Sequence, residues 1–170
     1  LGGMAGNNSC GSRSIRYGNM VHNVRTIDAL LADGSEHRFA EVAADLSGLD
    51  ADARYAQIVR RLRALGEREA GEVARRFPKL LRRVGGYNLD EFRPGRTFNL
   101  TRLLVGSEGT LAIVLDATLR LVAPPMHRAM CVVQFHDLLE SLQATPLILQ
   151  HQPSAVELVD RSILDSTRGK

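Results

Sequence analysis

The sequence has few of the residues and runs that mark several large classes of protein. It contains no tryptophan and only two cysteines among its 170 residues. Cys10 and Cys131 cannot build a disulfide framework and form no CxxC pair, so a reducing compartment is the default expectation. No apolar run reaches the roughly 18 residues that a membrane helix needs, and no signal peptide is visible. We therefore expect neither a disulfide-rich secreted domain nor a membrane-spanning helix.

Several catalytic and cofactor-binding signatures are missing as well. The five histidines show neither HxxxH nor HExxH spacing, and with two distant cysteines a zinc site within this chain is not expected. No GxGxxG follows a strand and no GxxxxGK[ST] occurs, so neither a nucleotide-binding Rossmann fold nor a P-loop is indicated. Val105 stands where a GxSxG elbow needs its first glycine. We nominate no catalytic residue and no metal ligand, and we expect the chain, which begins at Leu1, to be a piece of a longer protein.

The charge is mildly basic, with a formal net charge of +3. Arginines are concentrated between residues 51 and 83, which raises the alternative of a nucleic-acid-binding module. Only Tyr55 and Phe77 are interleaved aromatics in that stretch, and the arginines surround an apolar helical stripe. A solvated helix face explains such a pattern better, so we expect no nucleic-acid partner.

Hydrophobic periodicity predicts a hairpin, a long helix and a strand in the first 124 residues. Extended runs on either side of Asp33-Gly34 are typical of a β-hairpin. Asp50 is placed to cap a helix whose apolar positions recur every three or four residues and which resumes after Gly66 until Pro78. A strand is predicted from Thr110 to Val122, with alternate residues on one face. That face comprises Leu115, Ala117, Leu119 and Leu121.

Pro124-Pro125 is the best candidate for a domain boundary. The residues after it predict a strand, a helix, a second strand and a second helix, at 129–135, 137–150, 155–159 and 161–167. Two domains follow from this pattern, residues 1–124 and a second domain that begins within 125–170. The predicted fold class is α+β, a mainly antiparallel sheet with packed helices followed by the start of another α+β domain.

Two glycine-rich segments are the candidate binding elements. The first covers residues 1–11 and the second covers residues 106–110, with Pro94-Gly95 in a loop between them. Residues without bulky side chains let main-chain N–H groups approach a ligand and form anion-binding nests. Both segments are also explained as plain turns with positive φ, and the residue pattern alone favours that explanation.

At these segments the sequence resembles a known family. Residues 2–11, Arg16-Tyr17-Gly18 and the hairpin are similar to the second half of a PCMH-type FAD-binding domain of the vanillyl-alcohol-oxidase-like family. Gly86-Tyr87-Asn88-Leu89 and the string from Leu103 to Leu111 resemble elements of its D-2-hydroxy-acid dehydrogenase branch. That branch includes D-lactate dehydrogenase, glycolate oxidase subunits and D-2-hydroxyglutarate dehydrogenase. The Asn-Asn-Ser-Cys-Gly sequence of the first segment is closest to the large variants fused to an iron–sulfur domain.

The resemblance implies an FAD-dependent oxidoreductase that takes a hydride from a small 2-hydroxy acid and passes electrons to a quinone, a cytochrome or an iron–sulfur partner. It places the catalytic base, a divalent metal and any iron–sulfur cluster outside this chain, so the isolated piece is expected to be inactive and to bind FAD weakly or not at all. It implies a cytoplasmic protein, compatible with peripheral association at the inner face of the membrane. The implied cofactor-binding residues are Gly3, Asn7, Asn8, Ser9, Cys10, Gly11, Tyr17, Gly18, Gly106, Ser107, Glu108, Gly109, Thr110 and Ile113.

Some positions keep two interpretations. Cys10 is either a reactive thiol or a small residue in place of glycine, and Tyr87 either faces the ligand or is an interior aromatic. Asn88 stands where the branch usually has Asp. A third interpretation of the whole chain is a structural or interaction domain with vestigial cofactor loops.

Overall fold

The computed structural model describes residues 1–49, 53–92 and 97–168. They form two compact units. The first comprises Leu1–Cys10 and Gly18–Val122, and the second comprises Gly11–Tyr17 and Ala123–Lys170. The domain assignment made from the sequence, 1–124 and 125–170, stays a prediction. The expected cap at Asp50 and the loop at Pro94-Gly95 lie outside the described residues.

The described chain contains helices and short strands. The first unit has both, together with a 3₁₀ turn at Leu89–Glu91, and the regular elements of the second unit are helices. The elements in chain order are α1 (Gly2–Gly6), α2 (Ser14–Tyr17), α3 (Met20–Asn23), β1 (Val24–Leu30), β2 (Glu36–Phe39), β3 (Glu41–Val42), α4 (Ala53–Arg68), α5 (Ala70–Arg76), β4 (Phe98–Asn99), α6 (Thr101–Leu104), β5 (Ile113–Leu119), α7 (Leu138–Gln150) and α8 (Arg161–Thr167).

The sheet of the first unit is antiparallel, as predicted. Its strand order is β2-β1-β5, and β3 pairs with β4 in a separate two-stranded ladder. The β1–β2 hairpin forms around Asp33-Gly34, where Gly34 takes a φ of +81° that a residue with a side chain rarely adopts. Helices together with an antiparallel sheet confirm the predicted α+β class.

Strand β5 is shorter than predicted and contains a bulge. Ala29 pairs with Val114 while the preceding Asp28 pairs with Asp116, so Leu115 is the extra residue on β5. The bulge removes Leu115 from the face that the alternation predicted, and its residue is 52% exposed. The strand also ends before Leu121, which is exposed. The half-buried face of β5 is instead formed by Val114, Ala117 and Leu119.

The core of the first unit lies between this sheet, α4 and the segment around α6. Helix α4 confirms the predicted apolar stripe, since Val59 is fully buried and Tyr55 and Leu62 pack against the core. The Tyr55 ring meets the Phe39 ring edge-on, with 5.6 Å between centroids. Leu100 and Val105 on either side of α6 are also fully buried, which fixes the position of the residues that follow.

The second unit contains helices but not the predicted strands. Helices α7 and α8 form where expected, and the side chains of Asp137 and Asp160 cap them by accepting from the backbone N–H groups of Glu140 and Ile163. Residues 129–135 and 155–159 are irregular, so both strand predictions are wrong for the described chain. A strand is stable only when another strand pairs with it.

Candidate functional site

The first glycine-rich segment begins with a short helix, although its composition favours turns. Its residues form α1, and the turn closes with Ala5 N donating to Leu1 O at 3.0 Å and Ser9 N donating to Met4 O at 2.9 Å. Glycine disfavours helix, so local propensity argued against this structure. Ala5 reverses that preference because it is buried in the core of the first unit. Asn8 then leaves the helix with a positive φ of 51°.

The second segment is a tight turn between α6 and β5. Gly106 and Gly109 have φ values of +85° and +74°, and Glu108 between them has a φ of +52°. The turn is closed by Ser107 N donating to Leu104 O at 3.1 Å and by Thr110 N donating to Ser107 O at 3.0 Å. Helix α6 ends at Leu104, two residues before Gly106.

The two segments lie side by side. Gly106 N donates to Ala5 O at 2.9 Å, and Glu108 N donates to Gly6 O at 2.9 Å. A Cβ placed on Gly6 would lie 3.9 Å from the Cα of Glu108. Two stretches separated by about a hundred residues are thus joined through their backbones, and both contribute to the same surface of the first unit.

Many amides of these segments are already bonded within the protein, so they cannot serve in an anion-binding nest. Their N–H groups donate to carbonyl oxygens within the protein. This holds for Asn7, Asn8, Ser9, Gly106, Ser107, Glu108 and Thr110. The outward surface of the segments includes three glycines with open space beside them. A Cβ on Gly2, Gly3 or Gly109 would meet no heavy atom within 4 Å.

Neutral polar groups lie beside these open glycines. Asn7, Thr110 and Tyr87 are exposed, and the hydroxyls of Tyr87 and Thr110 are 2.8 Å apart. Tyr87 is therefore not an interior aromatic, and its contact with a ligand stays a prediction. An exposed glycine surface lined by amide and hydroxyl groups fits the close approach of a large polar group such as the flavin, ribityl or phosphate part of FAD.

Asn8 is held inside the protein rather than presented outward. It is 1% exposed, its Oδ1 accepts from Val21 N at 2.9 Å, and its Nδ2 donates to Arg83 O at 3.3 Å. A Cβ on Gly106 would lie 3.3 Å from the Cβ of Asn8. Asn8 therefore sets the distance between the two segments.

Asn88 is also buried beside Gly106. It is 2% exposed and its Nδ2 donates to Val105 O at 2.8 Å and to Arg102 O at 2.9 Å. A Cβ on Gly106 would also lie 3.5 Å from this Nδ2. An Asp carboxylate at position 88 could donate neither of these bonds, so the departure from the usual Asp has a local reason.

The remaining implied cofactor residues are placed in different ways. Ser107 is buried, Ser9 and Cys10 are half-buried, Glu108 and Ile113 are exposed, and Ser9 Oγ donates to Asn7 Oδ1 at 2.5 Å. Gly18 has a φ of +75°, and a Cβ there would lie 2.6 Å from His22 Nδ1. Gly11 and Tyr17 belong to the second unit.

Several side chains of the arginine-rich stretch form ion pairs. In α5 both Arg75 and Arg76 bind the Glu72 carboxylate, at 2.7 Å and 2.6 Å. Arg83 pairs with Asp90. The arginine-rich stretch thus carries much of its positive charge opposite carboxylates.

The described residues contain neither a group of side chains suited to a metal ion nor a candidate membrane-spanning helix. Within 1–49, 53–92 and 97–168 no three His, Cys, Asp or Glu side chains are grouped so that they could hold a metal ion. No helix in the same ranges has both the length and the apolar character that crossing a membrane requires.

Comparison with known proteins confirms the resemblance seen in the motifs. No family model matches the chain. The chain is nevertheless similar over nearly its whole length to FAD-linked oxidoreductases, including an uncharacterized one of Mycobacterium tuberculosis that is 25% identical over 95% of this chain and 25% of its own length. More specifically, it is 32% identical to the D-2-hydroxyglutarate dehydrogenase of Pantoea ananatis over 99% of this chain. It is 29% identical to a probable mitochondrial D-lactate dehydrogenase of Danio rerio over 88% of this chain.

The chain corresponds to a small part of these proteins. It spans 17% of the length of the Pantoea enzyme and 21% of the length of the Danio protein. The expectation that it is a piece of a longer protein agrees with these proportions.

Sequence reasoning missed two residues of the site. Arg83 was grouped with the solvated arginines, and Asn88 was noted only as a departure from a motif. The signal for Asn88 was its position in the motif, directly after Gly86 and Tyr87. An asparagine that replaces a carboxylate there carries an amide group, and that group needs hydrogen-bond partners of its own.

Proposed function

We propose that this chain forms one side of the FAD site of a flavin-dependent dehydrogenase that oxidises a D-2-hydroxy acid. The observation that carries the proposal is the pairing of the two glycine-rich segments through Gly106 N to Ala5 O and Glu108 N to Gly6 O. The two stretches that carry the family motifs meet at one exposed surface of the first unit. The similarity to D-2-hydroxyglutarate and D-lactate dehydrogenases supplies the substrate class.

In this proposal FAD, when bound, supplies the hydride acceptor, and the chain's own residues position it. The exposed backbone of Gly3 and Gly109 allows close approach, while Asn7 and Thr110 offer neutral hydrogen-bonding groups. The implied cofactor residues named from the sequence belong to this proposal, with Asn8 and Ser107 acting from beneath the surface.

The chain supplies only part of the machinery. We propose residues 1–124 as the second half of the FAD-binding domain and 125–170 as the beginning of the substrate domain. The base that takes the substrate proton, a divalent metal, any iron–sulfur cluster and the contact with a quinone, cytochrome or iron–sulfur electron acceptor belong to other parts of the intact protein. The 170-residue chain alone is then inactive and binds FAD weakly or not at all, and its purification with stoichiometric flavin would contradict this.

Substitution of Gly109 by leucine in the intact protein tests the proposed surface. The leucine side chain would project into space that no protein atom within 4 Å occupies, and that the proposal assigns to FAD. Gly34 is a matched control, because it has a similar φ of +81° and equally open surroundings but lies in the β1–β2 turn. Both variants carry the same backbone strain, so only the place of the side chain differs.

We expect Gly109→Leu to lose at least tenfold in FAD affinity, and Gly34→Leu to retain flavin as the unchanged protein does. Flavin absorbance per protein and titration of the apoprotein with FAD measure this. Reduction of an artificial electron acceptor with D-2-hydroxyglutarate and with D-lactate identifies the substrate. An intact protein that carries no flavin, or a Gly109→Leu variant that binds FAD as tightly as Gly34→Leu does, would refute the proposal.

A further inference from the structure

We propose that Arg83 is a positioning residue that holds the two glycine-rich segments in the arrangement that FAD binding requires. This inference rests on the proposed function for its ligand, but its structural basis is independent of it. Arg83 lies outside both segments, in a stretch from residue 77 to residue 88 that contains neither helix nor strand. Its side chain is 15% exposed, which is unusual for an arginine.

The side chain of Arg83 is fixed on three sides. Its Nη2 donates to Asn88 Oδ1 at 3.1 Å and also to the Asp90 carboxylate, with which it forms an ion pair. Its guanidinium lies over the Phe77 ring, 4.9 Å from the centroid. A planar cation that is stacked and hydrogen-bonded at once has one stable position, and this position anchors the irregular stretch around it.

The backbone of Arg83 continues the connection. Its carbonyl oxygen accepts hydrogen bonds from the Nδ2 atoms of Asn8 and Asn19, each at 3.3 Å. Asn8 belongs to the first glycine-rich segment and contacts Gly106 of the second. Through its carbonyl Arg83 therefore holds Asn8.

Through its side chain Arg83 holds Asn88, which lies beside Gly106 and binds the carbonyl oxygens of Val105 and Arg102. Gly106 thus lies next to two buried asparagines that both bond to Arg83. Because Gly106 N donates to Ala5 O, a shift of either asparagine alters the backbone bonds that join the segments. Arg83, Asn8 and Asn88 thus form one connected hydrogen-bond network, and each asparagine is more than nine-tenths buried.

Arg83→Met in the intact protein tests the inference, with Arg61→Met as the matched control. Methionine keeps an apolar stem against Phe77 but removes the hydrogen bonds to Asn88 and Asp90. Arg61 is an exposed arginine of α4, outside this set of contacts. We expect Arg83→Met to raise the Kd for FAD about tenfold, which corresponds to about 1.4 kcal/mol, and to change the visible circular dichroism of the bound flavin. Arg61→Met is expected to change neither.

Hydrogen exchange supplies a measurement that does not need flavin. The amide protons of Gly106 and Glu108 lie in the bonds between the segments, so we expect Arg83→Met to exchange them about tenfold faster in the apoprotein. Amides of the β1–β2 hairpin are expected to exchange at the unchanged rate, whereas general destabilisation would accelerate both regions. If the intact protein proves to bind no flavin, the proposed function fails, and the exchange result still decides whether Arg83 positions the segments.

A milder variant decides the matter if Arg83→Met does not fold. Arg83→Lys keeps a positive charge opposite Asp90 but lacks the planar group that stacks on Phe77. We expect an intermediate result, with exchange at Gly106 and Glu108 at least threefold faster than in the unchanged protein. Unchanged exchange and an unchanged flavin spectrum in the folded variants would overturn the inference.

Discussion

Substitution of Gly66 by alanine sets two effects of known sign against each other. Gly66 lies in α4, and a Cβ at this position would stand 2.3 Å from the carbonyl oxygen of Phe92 and 3.0 Å from the Phe92 Cβ. Alanine favours a helix over glycine by up to about 1 kcal/mol. Overpacking a buried contact costs about 1–3 kcal/mol, and here the nearest atom belongs to the backbone, which yields less readily than a side chain.

The steric cost should therefore exceed the gain in helix propensity. We expect Gly66→Ala to lower the free energy of unfolding by about 1–2 kcal/mol. Gly71 in α5 is the matched control, since a Cβ there would meet no heavy atom within 4 Å and its φ is not positive. Gly71→Ala is expected to raise the free energy of unfolding by up to about 1 kcal/mol, from helix propensity alone.

Urea denaturation of the 170-residue chain, followed by circular dichroism, measures both changes. The reasoning depends on the sign of the difference between the two variants, which cancels errors common to both. If Gly66→Ala were as stable as Gly71→Ala, α4 would not approach Phe92 as closely as the structure places it. The contact between α4 and Phe92 would then not help to hold the turn at Leu89–Glu91, which directly follows Asn88.

Two further predictions concern the hairpin turn and the first segment. The Ser35 hydroxyl and N–H and the Arg54 guanidinium lower the pKa of Asp33 from 3.8 to about 2. The stabilisation they give is therefore present above pH 3.8 and is lost as the pH falls toward 2. Ser35→Ala should move this pKa upward, and an unchanged NMR titration of Asp33 would contradict the assignment. Asn8→Ala removes the acceptor of the buried Val21 N–H and puts alanine at a positive φ. The free energy of unfolding in urea denaturation should therefore fall by about 2–4 kcal/mol. A similar loss in the exposed control Asn7→Ala would contradict this account.

Local patterns predicted the elements whose geometry is decided locally. The hairpin followed from Asp33-Gly34, because the turn requires a positive φ and glycine supplies it. Helix α4 followed from apolar residues at helical spacing, since the same spacing places Val59 in the core. In both cases neighbouring residues in the sequence are also the ones that determine the structure.

Patterns failed where distant residues decide the conformation. Residues 2–6 have poor helix propensity, yet they form α1 because Ala5 is buried and its carbonyl accepts from Gly106. The alternation in 110–122 gave no sign of the bulge at Leu115, which depends on the register with β1. Residues 129–135 are almost all apolar, as a buried strand can be, but have no partner strand in the described chain.

The glycines of the candidate site differ in whether the protein itself explains them. Gly106 needs both its positive φ and its missing side chain, because Asn8 and Asn88 lie against it. Gly3 is different, since it lies in α1 with no positive φ, and a Cβ there would meet nothing within 4 Å. Glycine at such a position costs about 1 kcal/mol relative to alanine, and no contact within the described chain compensates for it. Close approach by a group that is not part of this chain would account for that cost, which is the role the proposal gives to FAD.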